Sequence, residues 1–338
     1  MSFSNYATYR EINSQTDAWE QALDVVEHTK LPAGSDYAQV IFTGCGSTYY
    51  LSLAAAALYQ ELTGAPARAF PASELLFHGP AAFTEQRTLL VAVSRSGTTS
   101  ETVKAVEKFK AEKRGNVVVI SNYDEILSRL ADVNIVIDKG QEESVAQTRS
   151  FASMYVAASA FCARMSGREA LVEAMGELPR VGKQLIKKYE PLARQVGTQL
   201  DFDRFYFLGS GNRYGLACEV NLKMKEMTLT HSEPFHFLEF RHGPMSMVND
   251  NAVVVGMLSD TNRLHEAKVL SEMKALGGTV LSLAESDADV VFQSGVPASV
   301  RVVLYLPVLQ HMAFHRSVAK GLNPDHPKNL TAVVQLNL

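Results

Sequence analysis

Short apolar runs, each followed by a helical pattern, recur along this chain, and this rhythm constrains its fold more than any other feature. AQVIFTG (38–44), ARAFPA (67–72), TLLVAVS (88–94), NVVVISN (116–122) and NIVIDKG (134–140) read as strands. TYYLSLAAAALYQEL (48–62) and SETVKAVEKFKAEK (100–113) read as helices between them. Strands that are apolar throughout are buried on both faces, which implies parallel pairing under two layers of helices. The rhythm restarts at RFYFLGSG (204–211) and runs through AVVVGMLS (252–259), TVLSLAE (279–285) and ADVVFQ (288–293) to a closing helix at 300–321. Both halves open on a strand that ends in a glycine turn, VIFTGCGS (40–47) and RFYFLGSG. The expectation is therefore an α/β fold with two doubly wound parallel sheets related by duplication. Its expected parts are a helical segment (1–36, with Trp19, Leu23 and Val26 on one face), a first domain (37–166), a helical linker (167–200), a second domain (201–322) and a tail (323–338).

Composition narrows the function. Apolar residues make up 46% of the 338, charged residues 20%, and the net charge is −4. This is a folded chain with no global basic field for nucleic acid or an anionic membrane, so any anion site must be local. Cys45, Cys162 and Cys218 are odd in number and widely spaced, which suits neither a disulfide framework nor a CxxC metal site. The start, MSFSNYATYREINSQ, has no apolar signal core, and no apolar run reaches the roughly 18 residues of a membrane span. A reducing, cytoplasmic setting is expected.

Two loops follow strands of the first half, Gly44-Cys45-Gly46-Ser47-Thr48 and Ser94-Arg95-Ser96-Gly97-Thr98-Thr99. Open parallel sheets bind ligands at the carboxyl ends of their strands. Glycine permits close backbone approach, helix N-termini present free N–H groups, and hydroxyls add donors, so both loops can cradle a phosphate-like anion. Neither carries a Walker or GxGxxG pattern. The plainer reading, that such turns simply cap their helices, stands beside it.

CGST (45–48), SRSGTTSET (94–102), SVAQTRSF (144–151), the block LGSGNRYGLACEVNLKMKEMTLTHSEPFHFLEFRHGP (208–244) and the tail NPDHPKNL (323–330) resemble the sugar isomerase (SIS) family, with the isomerase half of glutamine–fructose-6-phosphate aminotransferase as the nearest likeness. That resemblance implies two flavodoxin-like, three-layer domains. It implies an anion site made of Ser47, Thr48, Ser94, Arg95, Ser96 and Thr99, with Cys45, Gly46, Val145 and Arg149 as further substrate contacts. It also implies that Glu226 moves a proton between carbons 1 and 2, with Lys223 one turn before it, and that His242 assists ring opening. In this family that histidine can come from the neighbouring subunit, which implies a homodimer. Two departures stand out. The family's tail lysine, which forms a Schiff base with the ketose, aligns with Ala332, Lys328 being out of register. Its glutaminase cysteine follows the initiator Met, where this chain has Ser2, so ammonia production from glutamine is not expected.

The residue types also suit the chemistry taken by itself. Aldose–ketose isomerisation needs one base across an enediol and donors for two oxygens, and no cofactor or metal. Lys223 and Glu226 share a helix face, although such a pair is equally a surface ion pair. His242 in FRHGP also reads as a structural histidine. His311 and His315 have a metal-ligand spacing but no HExxH glutamate and no third ligand in view, so they read as core histidines. Arg149 reaches either an anion or a carboxylate such as Glu142 or Glu143. The expected reaction is isomerisation of a hexose with a 6-phosphate or 6-sulfonate. The alternatives are an amino-sugar phosphate deaminase, a fructosamine phosphate deglycase and a non-catalytic sugar-phosphate sensor. The sensor reading is disfavoured because the 35 or so residues before the first strand are too few for a DNA-binding domain.

Overall fold

The computed structural model describes residues 3–334 and 336, and it divides into two compact units. One comprises Ser14–Glu142, Arg149–Gly176 and the tail from Thr331. The other comprises the chain up to Asn13, Glu143–Thr148 and Glu177–Leu330.

The first unit holds strands β1 (Gln39–Gly44), β2 (Ala67–Pro71), β3 (Thr88–Ser94), β4 (Gly115–Ser121) and β5 (Val133–Val136), all parallel, in the order β2-β1-β3-β4-β5. Every residue of β1 and β3 is buried, as two covering layers require. On one face Ile41, Leu90, Val117 and Val119 pack with Val106 and Phe109 of the helix Ser100–Ala111. Elsewhere in the unit Phe42 meets Phe161 of the helix Arg149–Met165 edge-on, with ring centroids 6.3 Å apart. That helix is buried all round from Ser150 to Ala163. A helix without a polar face leaves no 3.6-residue stripe in the sequence, which is why reading by periodicity passes over it.

The second unit repeats the plan. Strands β6 (Arg204–Leu208), β7 (His231–Phe235), β8 (Ala252–Met257), β9 (Thr279–Ala284) and β10 (Val290–Val291) are parallel, in the order β10-β9-β8-β6-β7. Counted from its own first strand, this is the order of the first sheet, the flavodoxin-like 2-1-3-4-5. Periodicity passes over β7 because its sequence, HSEPF, is polar and carries a proline. An edge strand tolerates both, and β7 pairs only with β6. The stretch read as one closing helix begins as a 3₁₀ turn, Val302–Tyr305, and becomes α-helical over Leu306–Ala319, with Pro307 in its first turn.

Gly115 opens β4 opposite Thr88 with φ 153°, and a Cβ there would run into the Thr88 carbonyl oxygen. Gly115→Ala is expected to destabilise the first unit by about 2–3 kcal/mol, read as a lowered thermal midpoint; an unchanged midpoint would show that β3 and β4 are not held this closely.

Candidate active site

The two Ser/Thr loops follow β1 and β3, adjacent strands at which the chain turns to opposite sides of the sheet. This is the switch point where an open parallel sheet leaves a crevice. Gly46, at φ 56°, makes the turn into the helix Ser47–Thr63. Thr48 Oγ1 then staples the turn, accepting from Cys45 N at 2.9 Å and donating to Cys45 O at 3.0 Å. Gly44 has no room for a side chain, since a Cβ would strike Thr48.

In the second loop Ser94 Oγ lies 3.4 Å from Thr99 Oγ1 and accepts from Gly97 N at 3.2 Å. Ser96 Oγ accepts from Thr98 N at 3.2 Å and from Thr98 Oγ1 at 3.1 Å. Ser96, Thr98 and Thr99 are only partly buried. Cys45 Sγ lies 3.5 Å from Thr102 Oγ1 of the helix Ser100–Ala111, which follows the second loop. Burial pushes the Cys45 thiol up, so it stays neutral and is no nucleophile.

Both arginine side chains turn to internal partners. Arg95 is 8% exposed; its guanidinium donates to the Ala332 carbonyl at 2.6 Å and lies 3.8 Å from Glu142. The side chain therefore ties down the tail, and only the backbone of Arg95 belongs with the anion loop. Arg149 reaches neither an anion position nor Glu142 or Glu143. It donates to Ser14 Oγ at 2.9 Å and to the Gln141 carbonyl. Glu142 accepts from Ser150 Oγ instead, and Glu143 pairs with Arg10 at 3.3 Å. The nearer partners win because Arg149 opens its helix and its side chain folds back over the preceding turn.

In the second unit the corresponding crevice, after β6 and β8, already holds carboxylates. Ser259 N donates to Glu266 at 2.5 Å, Arg213 faces Glu266 at 3.7 Å, and Arg301 is paired with Asp260. Internal carboxylates there answer the donors that an anion would need.

The helix Arg213–Thr228 carries the candidate acid–base groups. Its spacing places Glu219, Lys223 and Glu226 on one face. Lys223 Nζ lies 2.6 Å from Glu226 Oε2 and 3.3 Å from Glu219 Oε1. Lys223 and Glu219 are each 1% exposed, whereas the Glu226 side chain keeps 19% exposure. Burial works to lower the lysine's pKa, but the attraction of Glu219 and Glu226 outweighs it, and the net shift is upward, so the ammonium persists. Glu226 opens onto a cavity of about 260 Å³ lined also by Leu322, Asn323, His326 and Lys328. The tail reaches this cavity because Asp325 is anchored. Its carboxylate accepts from Ala7 N, Thr8 N and Thr8 Oγ1 at 2.7–3.0 Å, and its carbonyl accepts from Val145 N at 2.9 Å.

Lys223 and Glu226 are thus brought together, and Val145 is bonded next to the residue that precedes His326. His242 is exposed after the 3₁₀ turn Glu239–Arg241 and does not line this cavity. His326 and Lys328 do line it. The motif NPDHPKNL was the signal for them, but nothing in its spacing says which of its side chains turns toward Glu226.

With two repeats of one parallel topology and these loops in place, the class is defined. The chain belongs to the SIS domain family, whose pattern matches residues 35–164 and 201–318. It is similar to glutamine–fructose-6-phosphate aminotransferase (isomerizing) of Methanothermobacter thermautotrophicus, 30% identical over 329 residues that cover 94% of this chain and 54% of that one. The protein of the same name from Pyrococcus horikoshii is 30% identical over 313 residues, 88% of this chain and 52% of that one. The chain spans about half the length of these curated relatives. Among solved structures it is similar to glucosamine-6-phosphate deaminase of Thermotoga maritima, with TM-score 0.83, 25% identity and coverage of 98% and 100%. Tagatose-6-phosphate ketose/aldose isomerase of Escherichia coli shares the fold, with TM-score 0.85, 20% identity and coverage of 98% and 99%.

Lys223→Met would leave Glu219 and Glu226 as like charges without their cation. It is expected to cost about 3–5 kcal/mol. The double variant Lys223→Met/Glu219→Gln should recover part of that loss in thermal melts. Equal losses in the single and double variants would mean that Glu219 is not coupled to Lys223.

Proposed function

We propose that this protein is an aldose–ketose isomerase acting on a hexose that carries an anion at its 6-position, a phosphate or a sulfonate. The observation that carries the reading is the ammonium of Lys223 held 2.6 Å from a carboxylate that faces a cavity. A carboxylate so held is fixed in direction, as a base that lifts a proton from carbon 2 and returns it to carbon 1 must be. Lys223 is too deeply buried to touch a sugar, so it acts through Glu226 as a positioning residue. The enediol oxygens need donors, for which His242 and His326 are the candidates. The hydroxyls of Ser94, Ser96, Thr98 and Thr99 and the N–H groups of the two loops would hold the anion. The proton transfer itself calls for no cofactor.

Deamination of a 2-amino-2-deoxyhexose 6-phosphate uses the same proton shuttle, and the likeness to the Thermotoga deaminase favours it as the second reading. Product analysis by NMR on a panel of hexose 6-phosphates, 6-sulfonates and amino sugars separates the two.

Glu226→Gln keeps shape and removes the base. Turnover should fall about 100- to 10,000-fold with little change in sugar binding, and the wild type should place solvent deuterium at carbon 1 or 2. Near-normal turnover in Glu226→Gln would rule out this role. Ser94→Ala, Ser96→Ala and Thr99→Ala should each cost about 1.5–3 kcal/mol of binding, felt by the anionic sugar and not by its neutral analogue. The working unit is proposed to be a homodimer in which His242 serves the partner's site. Mixed Glu226→Gln and His242→Ala subunits should then regain activity. Mixtures that exchange subunits yet stay inactive would exclude sharing.

A further inference from the structure

The helix Leu306–Ala319 is buried along almost its whole length, and two of its buried residues are histidines. His311 is 0% exposed and His315 1%, with rings stacked at 5.8 Å between centroids. The neighbouring helix Leu178–Gly197 brings Glu190 Oε1 to 3.4 Å from His315 Nε2. One ligand atom from each of Glu190, His311 and His315 can be chosen so that all lie within 4.8 Å of one another. Among the described residues, neither ring nitrogen of His311 nor Nε2 of His315 has a hydrogen-bond partner. Structural histidines in a core normally donate to a carbonyl or carboxylate, and a buried polar atom with no partner is costly. A neutral imidazole carries one lone pair and one N–H, so one lone-pair nitrogen from each ring beside the Glu190 carboxylate points to a missing partner that accepts nitrogen lone pairs.

The surroundings support this. Burial, with repulsion from His315, pushes His311 down to about 3, and burial, with repulsion from Arg194, pushes His315 down to about 4. Tyr9 Oη donates to Glu190 at 2.9 and 3.2 Å and orients the carboxylate, as outer partners of metal ligands do. Phe3 packs edge-on against His315 at 5.0 Å, and Tyr9 against His311 at 5.6 Å, which shields the cluster from water. The Glu190 side chain is 25% exposed and lines a surface cavity of about 420 Å³ with Lys187, Arg194 and Gln195, which offers a route of entry. The opposing feature is Arg194, whose guanidinium lies 5.3 Å from the Phe3 ring centre and repels a cation.

We propose that Glu190, His311 and His315 form a site for one divalent transition-metal ion of the zinc type, with water as fourth ligand. Two imidazoles and a carboxylate are a common zinc set. Ligation at about 2.0–2.1 Å draws the widest ligand pair together by up to roughly 1.4 Å, a shift that side-chain rotation supplies. The site is separate from the proposed chemistry, since none of the three residues lines the cavity at Glu226. Its ligands come from two helices and, through Tyr9, a third, so the ion would clamp them.

The test is titration of chelator-stripped full-length protein with Co²⁺ and then Zn²⁺. One Co²⁺ per chain with the intense visible bands of four-coordinate cobalt is expected, displaced by Zn²⁺, and Zn²⁺ should raise the thermal midpoint as its concentration rises. His315→Gln and Glu190→Gln should each weaken Zn²⁺ binding at least about tenfold and remove the cobalt bands. Should the histidine variant fail to fold, Glu190→Gln carries the test, because an amide at that partly exposed end still accepts from Tyr9. Absence of saturable binding would overturn the proposal and leave two neutral core histidines. Binding that survives Glu190→Gln undiminished would overturn it as well, by placing the ion elsewhere.

Discussion

Parallel pairing is the constraint from which the rest of this molecule follows. A parallel strand cannot return by a hairpin, so each strand leaves at its carboxyl end and comes back through a covering helix. The turns after β1 and β3 therefore lie at one edge of the first sheet, each with the free N–H groups of a helix start beside it. Because β1 leads to β2 on one side and β3 to β4 on the other, the two turns part and leave a crevice between them. Small and hydroxylic residues fill those turns. Gly44 must lack a side chain for Thr48 to close its staple, and Gly97 takes the left-handed turn at φ 67°.

The second sheet has the same topology and the opposite electrostatics. Its turns after β6 and β8 hold Asp260 and Glu266 against Arg301 and Arg213. The second repeat also carries the helix with the candidate acid–base groups. There a net negative trio, Glu219, Lys223 and Glu226, is buried at one end and open at the other. Attraction within the trio outweighs the cost of burying an ammonium, and only Glu226 keeps an exposed carboxylate.

Free thiols and histidines in this chain illustrate how burial alone sets chemical character. Burial drives the Cys218 thiol up to about 11 and the His311 ring down to about 3. Both shifts favour the neutral form, but a neutral thiol is inert while a neutral imidazole is a ligand.

Periodicity by itself determined most of the strands, the parallel class and the duplication, because a strand buried on both faces writes itself as a continuous apolar run. It could not reveal the helix Arg149–Met165, buried on every side, or the edge strand β7, with its proline. Glycines and hydroxyls marked the candidate anion loops, since their backbone geometry is local. The burial of Lys223, the diversion of Arg95 to Ala332 and of Arg149 to Ser14, and the arrival of His326 beside Glu226 were decided by tertiary structure alone. The same holds for Glu190, which stands beside His315 although more than a hundred residues separate them. Long side chains choose partners by distance in space, and that distance exists only once the helices have packed.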